Sequence, residues 1–438
     1  MRRLRAYVTR FTGFERDAQR YLLVTVFSGA ALSLYWIDFN LYLASLGVPR
    51  PTIGLIATGG SLAGAIVAFP ASALSDRIGR RLVIIGALAV MAVAMAGLLF
   101  VTAVPLIALF AAMFAAGQQS VFVLQSPFLT ERSRPEHRSE LFSLQFALMS
   151  FTNVIAALVG GVLAGAVADA AGLDPGGPGA YRLLIGAMVV LLVGAMLLAI
   201  TLRQDRPSRV RQRPPHAAVQ APASPSASSV PAVRRTGLPS VRSRHVRLVL
   251  PGFLIAVGAG QVIPFLNLFV QRKFGLELAS LNAVFALTSF GTMAAILLQP
   301  ALARRLGRVG SVVAVQGASI PFLVVLGFSP VLWTVVLAMA VRNSLMNAGN
   351  PILNAFAMDQ VVPGDRATLA ATMAALWSIG WVIGGPYYSL LQGTLGFDAG
   401  YAVNFATIIV LYSTATGLYW LWFRDAEPRP GREAVAVG

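Results

Sequence analysis

The sequence of 438 residues contains no cysteine and only three histidines, His137, His216 and His245. Without cysteine, the chain has no disulfide framework and no thiolate metal site. The histidines lack the spacing of metal ligands, so we expect no metal site. The sequence also lacks the phosphate-binding pattern G-x-x-x-x-G-K-[ST] and any visible pairing of a nucleophile with a base. We therefore expect neither an enzyme nor an ATP-driven machine, and no bound cofactor.

Charged residues are scarce as well. They make up 12% of the chain, against 57% hydrophobic residues, and the mean hydropathy is +0.73. Soluble domains carry about 25% charged residues. The apolar stretches extend to about 20 residues without alternation of polar and apolar positions, which favours membrane-spanning helices over strands. The composition thus predicts an all-α integral membrane protein.

Twelve apolar spans are predicted, in two halves of six. They lie near 21–44, 52–72, 82–103, 106–130, 139–166, 181–202, 248–271, 280–303, 309–328, 331–357, 367–394 and 399–423. The first span is too long for a signal peptide core, so we expect it to be retained. The predicted organisation is a basic N-terminus (1–20), an N-terminal half (21–202), a flexible linker rich in Arg, Pro, Ala and Ser (203–246), a C-terminal half (247–424) and a tail (425–438).

The basic residues are distributed unevenly. The net charge is +17, and 29 of the 34 Lys and Arg residues lie in the termini, the linker and alternate loops. Only Arg50, Arg182, Arg272 and Lys273 lie in the intervening loops. This distribution follows the positive-inside rule and predicts a plasma-membrane protein with both termini in the cytoplasm. Nucleic-acid binding would instead favour one continuous basic face, so we expect no nucleic-acid partner.

The two halves resemble each other in sequence. Residues 73–80 (ALSDRIGR) and 301–308 (ALARRLGR) lie 228 positions apart. The same separation relates Glu131 to Asp359, Pro135 to Pro363 and Arg138 to Arg366. Asn40 corresponds to Asn267 at a separation of 227, and Gly47 to Gly275 at 228. A duplicated membrane unit of this size is typical of two-halved secondary transporters.

At residues 72–81 (SALSDRIGRR) the chain resembles the major facilitator superfamily, whose loop between spans 2 and 3 reads Gly-x-x-x-Asp-Arg-x-Gly-Arg-Arg. Ser72 replaces the leading Gly, and the second half has Arg304 in place of Asp76. The resemblance implies a cytoplasmic gate network that breaks when the halves rock, with Asp76, Arg77 and Glu131 at its centre. The predicted gate residues are Ser72, Asp76, Arg77, Gly79, Arg80, Arg81, Glu131, Arg138, Asp359 and Arg366. The alternative is that these charges only set topology or are solvated loop charges.

Only a few ionisable residues lie within the apolar spans, and among them are Asp38, deep in span 1, and Arg342 in span 10. Charges in a bilayer are costly, and those that persist mostly face a cavity or a partner. Asp38 is the candidate for proton coupling or for a cationic substrate, with a static buried salt bridge or a position near the outer interface as the alternatives. Arg342 would hold an anion or pair with Asp38, with a structural pair between helices as the alternative. The predicted substrate and proton path consists of Asp38, Asn40, Gln119, Arg342, Asn343, Asn347 and Trp377.

The predicted function is alternating-access transport of small organic solutes, with proton-coupled efflux of an amphipathic compound as the preferred form. Asp38 and the gate motif resemble the drug-exporting branches of the family. In span 5, Gly160-Gly161 matches the end of the family's antiporter motif, but Ala156-Ala157 replaces its Gly-Pro. The alternatives are a proton-coupled or facilitative importer of a sugar, organic acid or other metabolite, and a non-transporting membrane sensor or assembly factor with the same fold. The expected partners are a small-molecule substrate and the lipid bilayer, and the expected state is a monomer.

Overall fold

A computed structural model describes residues 15–132, 138–174, 176–203, 244–361 and 366–425. The regular secondary structure in these ranges is helical throughout. Residues 204–243 of the predicted linker and residues 426–438 of the predicted tail lie outside the described residues, as do positions 1–14.

The N-terminal half consists of six helices. They are α1 (Arg16–Ser45), α2 (Arg50–Ile78), α3 (Arg80–Leu98), α4 (Val104–Glu131), α5 (Arg138–Ala170) and α6 (Pro178–Ile200). Pro51, Pro105 and Pro178 lie in the first turns of α2, α4 and α6. Proline is favoured there because its missing N–H would have no partner within the helix.

The C-terminal half contains the other six spans. Its helices are α7 (Arg244–Val262), α8 (Leu266–Phe274), α9 (Leu278–Phe328), α10 (Leu332–Asp359), α11 (Arg366–Thr394) and α12 (Gly396–Phe423). A 3₁₀ turn at Ile263–Phe265 separates α7 from α8, so these two helices form one span. Helix α9 contains two spans, because Gly307 has a non-helical backbone (φ 69°, ψ 175°) in its middle.

The helices are suited to a bilayer. Nine helices in the described part of the chain are long and apolar enough to cross a membrane, and Leu278–Gly291 is a shorter apolar segment. The more polar α10 and α11 have 28 and 29 residues, which at 1.5 Å per residue gives about 42 Å, more than a hydrocarbon core of about 30 Å. Large apolar side chains such as Phe69, Val190 and Val410 are exposed on the protein surface. The predicted all-α membrane fold with twelve spans in two halves is confirmed.

The duplication is visible in the backbone and in the packing. Gly47 and Gly275 both adopt positive φ, at 76° and 61°, and so do Gly79 and Gly307, at 93° and 69°. Each pair is separated by 228 positions, and only glycine adopts such φ values without strain. Within the halves, α1 packs on α6 as α7 packs on α12, and α2 packs on α4 as α9 packs on α10. Between the halves, α2 packs on α11 and α5 packs on α9, which are again related by the duplication.

We call the end of the bundle that carries residues 16, 78–80, 131, 132, 138, 200–203, 244, 359–361, 366 and 423 the basic end, and the other the opposite end. At the basic end, three arginines donate to carbonyls at and just beyond the last turn of α6. Arg20 donates to Thr201 O at 2.6 Å, Arg81 to Ile200 O at 2.5 Å and Arg132 to Arg203 O at 3.2 Å. The last carbonyls of a helix have no intrahelical partner and attract cations. These bonds tie α1, α3 and α4 to the end of α6.

Candidate functional site

The predicted gate residues lie at the basic end. Arg80 forms an ion pair with Glu131, with 2.7 Å between nitrogen and oxygen. Asp76 and Arg77 are exposed, and no ion pair of either is found in the described part of the chain. Arg81 is bonded to α6, and Gly79 has the positive φ that turns the chain between α2 and α3. The structure thus brings Glu131 to Arg80, while the network through Asp76 and Arg77 stays a prediction.

The remaining gate residues are less fully described. Ser72 is half-buried in α2, and its carbonyl accepts a hydrogen bond from the Ser75 hydroxyl. Asp359 is exposed at the end of α10. The side chains of Arg138 and Arg366 lie outside the described part, although their backbones begin α5 and α11. The predicted pairs Glu131–Arg138 and Asp359–Arg366 therefore stay predictions.

The two halves are joined toward the opposite end by a reciprocal pair of hydrogen bonds, which we call the asparagine clasp. Asn40 Nδ2 on α1 donates to Pro264 O at 2.5 Å, and Asn267 Nδ2 on α8 donates to Ile37 O at 2.6 Å. Both the donors and the acceptors are related by a separation of 227 positions. Each copy of the duplicated asparagine therefore donates a hydrogen bond to the backbone of the other half.

Two further contacts between the halves are also related by the duplication. On one side, a Cβ added to Gly54 of α2 would meet the Ser389 hydroxyl of α11. On the other side, a Cβ added to Gly161 of α5 would meet the side chain of Asn282 on α9. Gly54 and Asn282 are 228 positions apart, as are Gly161 and Ser389. Each contact thus places a glycine against a polar residue, which lets the helix backbones approach closely.

The polar partners in these two contacts differ in chemistry. The Ser389 hydroxyl donates to two backbone carbonyls, Pro51 O at 2.7 Å and Gly385 O at 3.0 Å. Asn282 Nδ2 instead donates to the carboxylate of Asp38, with 2.9 Å to Oδ1. Of these two polar residues, Asn282 therefore bonds to a carboxylate, whereas Ser389 bonds to backbone carbonyls.

Asp38 is buried at 2% exposure, and its Oδ2 has no hydrogen-bond partner among the described residues. Arg342 is also buried, but its guanidinium donates to Tyr412 Oη at 2.7 Å and to Asn343 Oδ1 at 3.0 Å. No ion pair between Asp38 and Arg342 is found among the described residues. The two intramembrane charges are therefore held by separate polar partners.

A cavity of about 290 Å³ lies between the halves. It is lined from α1, α2, α4, α7, the 3₁₀ turn and α11. Three of the predicted path residues, Asn40, Gln119 and Trp377, line it, whereas Asp38, Arg342, Asn343 and Asn347 do not. Within the described residues, no cluster of three or more His, Asp or Glu side chains is positioned to hold a metal ion.

Two side chains of the candidate site are not predicted from the sequence. Asn282 carries the hydrogen bond to Asp38, although it sits 244 positions away. Its position 228 after Gly54 was the available signal. Trp36 lines the cavity and its ring contacts Trp381 edge-on across the halves, with 6.0 Å between centroids. Its aromatic neighbours in span 1 do not indicate which face of the helix carries Trp36.

Many solved structures share this architecture. No curated protein sequence matches the chain. Among solved structures, a bacterial homologue of the human lysosomal transporter Spinster, in an inward-facing and occupied conformation, matches with a TM-score of 0.69 at 15% identity, covering 96% of this chain and 97% of that one. The nucleoside transporter NupG matches with a TM-score of 0.71 at 12% identity, covering 92% and 99%. A D-xylose-proton symporter matches with a TM-score of 0.67 at 12% identity, covering 92% and 96%.

At these identities the structural matches establish the fold. The family model of the Major Facilitator Superfamily matches residues 21–385, which is most of the chain. The chain belongs to the Major Facilitator Superfamily and is a multi-pass membrane transporter of small solutes.

Proposed function

We propose that this transporter is a proton-coupled exporter of small amphipathic organic solutes, located in the plasma membrane with both termini in the cytoplasm. The observation that carries the proposal is the hydrogen bond from Asn282 to Asp38. It joins a buried carboxylate of the N-terminal half to the C-terminal half at 2.9 Å, in a contact that closes the opposite end. A proton on Asp38 would therefore act directly on the closure.

The charge of Asp38 has a defined effect on that closure. A hydrogen bond to an ionised carboxylate is roughly twice as strong as one to a neutral acceptor. Loss of the charge on protonation therefore weakens the bond to Asn282 and favours separation of α1 from α9. Because the second carboxylate oxygen has no hydrogen-bond partner in the described part of the chain, a proton can bind there without breaking a described hydrogen bond. Protonation thus biases the two halves toward opening at the opposite end.

The orientation rests on the distribution of charge. The positive-inside rule puts the basic end in the cytoplasm, so the opposite end faces outward. The described contacts between the halves lie toward that outward end, as in the clasp and the two glycine contacts. This arrangement supports an inward-facing state, the state named for the Spinster homologue. In that state the cavity would take up solute from the cytoplasm, and the halves would then rock to release it outside.

Substrate-dependent proton movement in sealed inside-out vesicles tests the proposal. Vesicles containing wild type, Asp38→Asn or the matched control Asp169→Asn are given a proton gradient and a panel of amphipathic dyes, neutral glycosides and organic acids. Asp169 is an exposed carboxylate at the end of α5. We expect one class of compound to release protons from the lumen in wild type and control but not in Asp38→Asn. Co-transport of solute and protons in the same direction would instead make the chain a symporter and refute export. Flux that is equal in all three proteins without proton movement would refute proton coupling.

A further inference from the structure

Aromatic side chains form part of the cavity wall. Trp36 and Tyr35 come from α1, and Trp377 and Trp381 come from α11, so aromatic rings face the space from both halves. Trp377 and Trp381 are neighbours, with 6.5 Å between ring centroids. Rings of this kind bind flat ring systems by offset stacking or edge-to-face contact. The cavity volume of about 290 Å³ is at the lower end of the range of about 300–1,000 Å³ for ligand pockets, which suits a solute of one or two rings.

Amide groups supply both donors and acceptors to the same space. Gln118 and Gln119 of α4 line the cavity and are half-buried. In the described part of the chain, neither amide has a hydrogen bond to protein, and neither has a buried unpaired atom. Asn40 uses its Nδ2 in the clasp, which leaves its Oδ1 as an acceptor. A side-chain amide offers two donors and one acceptor oxygen, so these residues can match donors and acceptors on one solute.

Formal charge is missing from the lining. Among the described residues that form the cavity wall, none is Asp, Glu, Lys or Arg. Asp38 is bonded to Asn282, and Arg342 is bonded to Tyr412. A charged solute entering this space would lose hydration without gaining a counter-charge, which is far more costly than burying a hydrogen-bonded neutral group. Aromatic faces alone attract cations by about 0.5–2 kcal/mol, which is too little to offset that loss.

We propose that the cavity binds an uncharged, ring-bearing solute that both donates and accepts hydrogen bonds, with its ring against Trp36, Trp377 and Trp381 and its polar groups on Gln118 and Gln119. This inference rests on the proposed transport function for its physiological meaning. Binding itself requires neither transport nor a proton gradient. A failure of proton coupling would therefore leave the binding prediction intact, and the reverse also holds.

The six tryptophans of the chain provide a direct assay, because three of them line the cavity. Purified full-length protein is titrated with three probes that share a nitrophenyl ring, which quenches tryptophan fluorescence. They are the neutral 4-nitrophenyl β-D-glucoside, the anionic 4-nitrobenzoate and the cationic (4-nitrobenzyl)trimethylammonium. We expect saturable quenching by the glucoside with a Kd at least about 10-fold lower than that of either charged probe, the factor that corresponds to about 1.4 kcal/mol.

Variants connect the signal to the cavity. Gln119→Leu removes one amide and should raise the Kd of the glucoside by about 2- to 13-fold, because one neutral hydrogen bond contributes about 0.5–1.5 kcal/mol. Gln119→Glu introduces a negative charge and should shift the preference toward the cationic probe, a reversal that simple misfolding would not produce. Trp333→Leu is the matched control, because Trp333 is 71% exposed and lies outside the cavity.

Three results would overturn the proposal. The first is tighter binding of either charged probe than of the glucoside by wild type. The second is loss of glucoside quenching in Trp333→Leu that equals the loss in Trp377→Leu. The third is the absence of saturable quenching by the glucoside in folded wild-type protein, which would show that the cavity does not accept this class of solute.

Discussion

Removal of one amide from the asparagine clasp should open the opposite end of the transporter. Asn267→Ala deletes the donor to Ile37 O, and Asn40→Ala deletes the donor to Pro264 O. A typical hydrogen bond contributes about 0.5–1.5 kcal/mol net, so each loss should raise the ratio of open to closed molecules by about 2- to 13-fold. We expect the larger effect for Asn267→Ala, because Asn267 is buried at 2% exposure whereas Asn40 is only partly buried.

Double electron–electron resonance measures this shift between two spin labels at the opposite end. The chain has no cysteine, so labels can be attached solely at introduced Leu173→Cys in the N-terminal half and Leu395→Cys in the C-terminal half, both exposed. The control is Ser45→Ala, which removes a hydrogen bond at the same end but within α1, from Ser45 to Tyr42 O. Distance distributions of the Asn variants that match wild type and control would refute the reasoning that the clasp holds the halves together.

Two other predictions concern packing and charge. Gly54→Ala should also favour the open form in the same distance measurement, because the added Cβ would meet α11. The control Gly59→Ala should not, because open space surrounds its Cβ. Equal effects of both variants would contradict the packing argument. Arg132→Ala should lower the free energy of unfolding by about 1.5–3 kcal/mol, because it removes the 2.7 Å pair with the buried carboxylate of Asp17 and leaves that carboxylate, among the described residues, only Arg20, at 3.7 Å. Arg80→Ala removes a pair with a partner that is 49% exposed and should cost less than about 1 kcal/mol. Chemical denaturation in detergent measures the free energy of unfolding of both arginine variants. A similar loss of stability in Arg132→Ala and Arg80→Ala would refute the role of burial.

Much of the architecture follows from the sequence because it depends on local composition and on the repeat. The apolar segments locate the spans, and the 228-residue separation correctly relates Gly47 to Gly275 and Gly79 to Gly307, which share positive φ. The change of separation from 227 to 228 positions also has a counterpart in the structure. The clasp residues Asn40 and Asn267 are 227 positions apart, whereas the glycines that come after their helices, Gly47 and Gly275, are 228 positions apart.

The convergence of side chains could not be predicted in the same way. Two charges in apolar spans suggested a pair, yet Asp38 meets Asn282 and Arg342 meets Tyr412. Which residues meet depends on the rotation and tilt of each helix, and these are set by packing against neighbours rather than by span length. The same limit applies to Asn347, whose Nδ2 donates to a carbonyl of its own helix and which is exposed outside the cavity.

The most direct test of the account is the pH dependence of the opposite-end distance between the labels at positions 173 and 395, measured in wild type and in Asp38→Asn. Among the described residues, the phenol of Tyr181 also interacts with Asp38, and phenols, with an ordinary pKa of about 10, are neutral between about pH 5.5 and 8. We predict that the open population of wild type rises as the pH falls, because protonation weakens the bond from Asn282. Asp38→Asn should show an open population that does not change with pH. A pH response of the same size in both proteins would contradict the account.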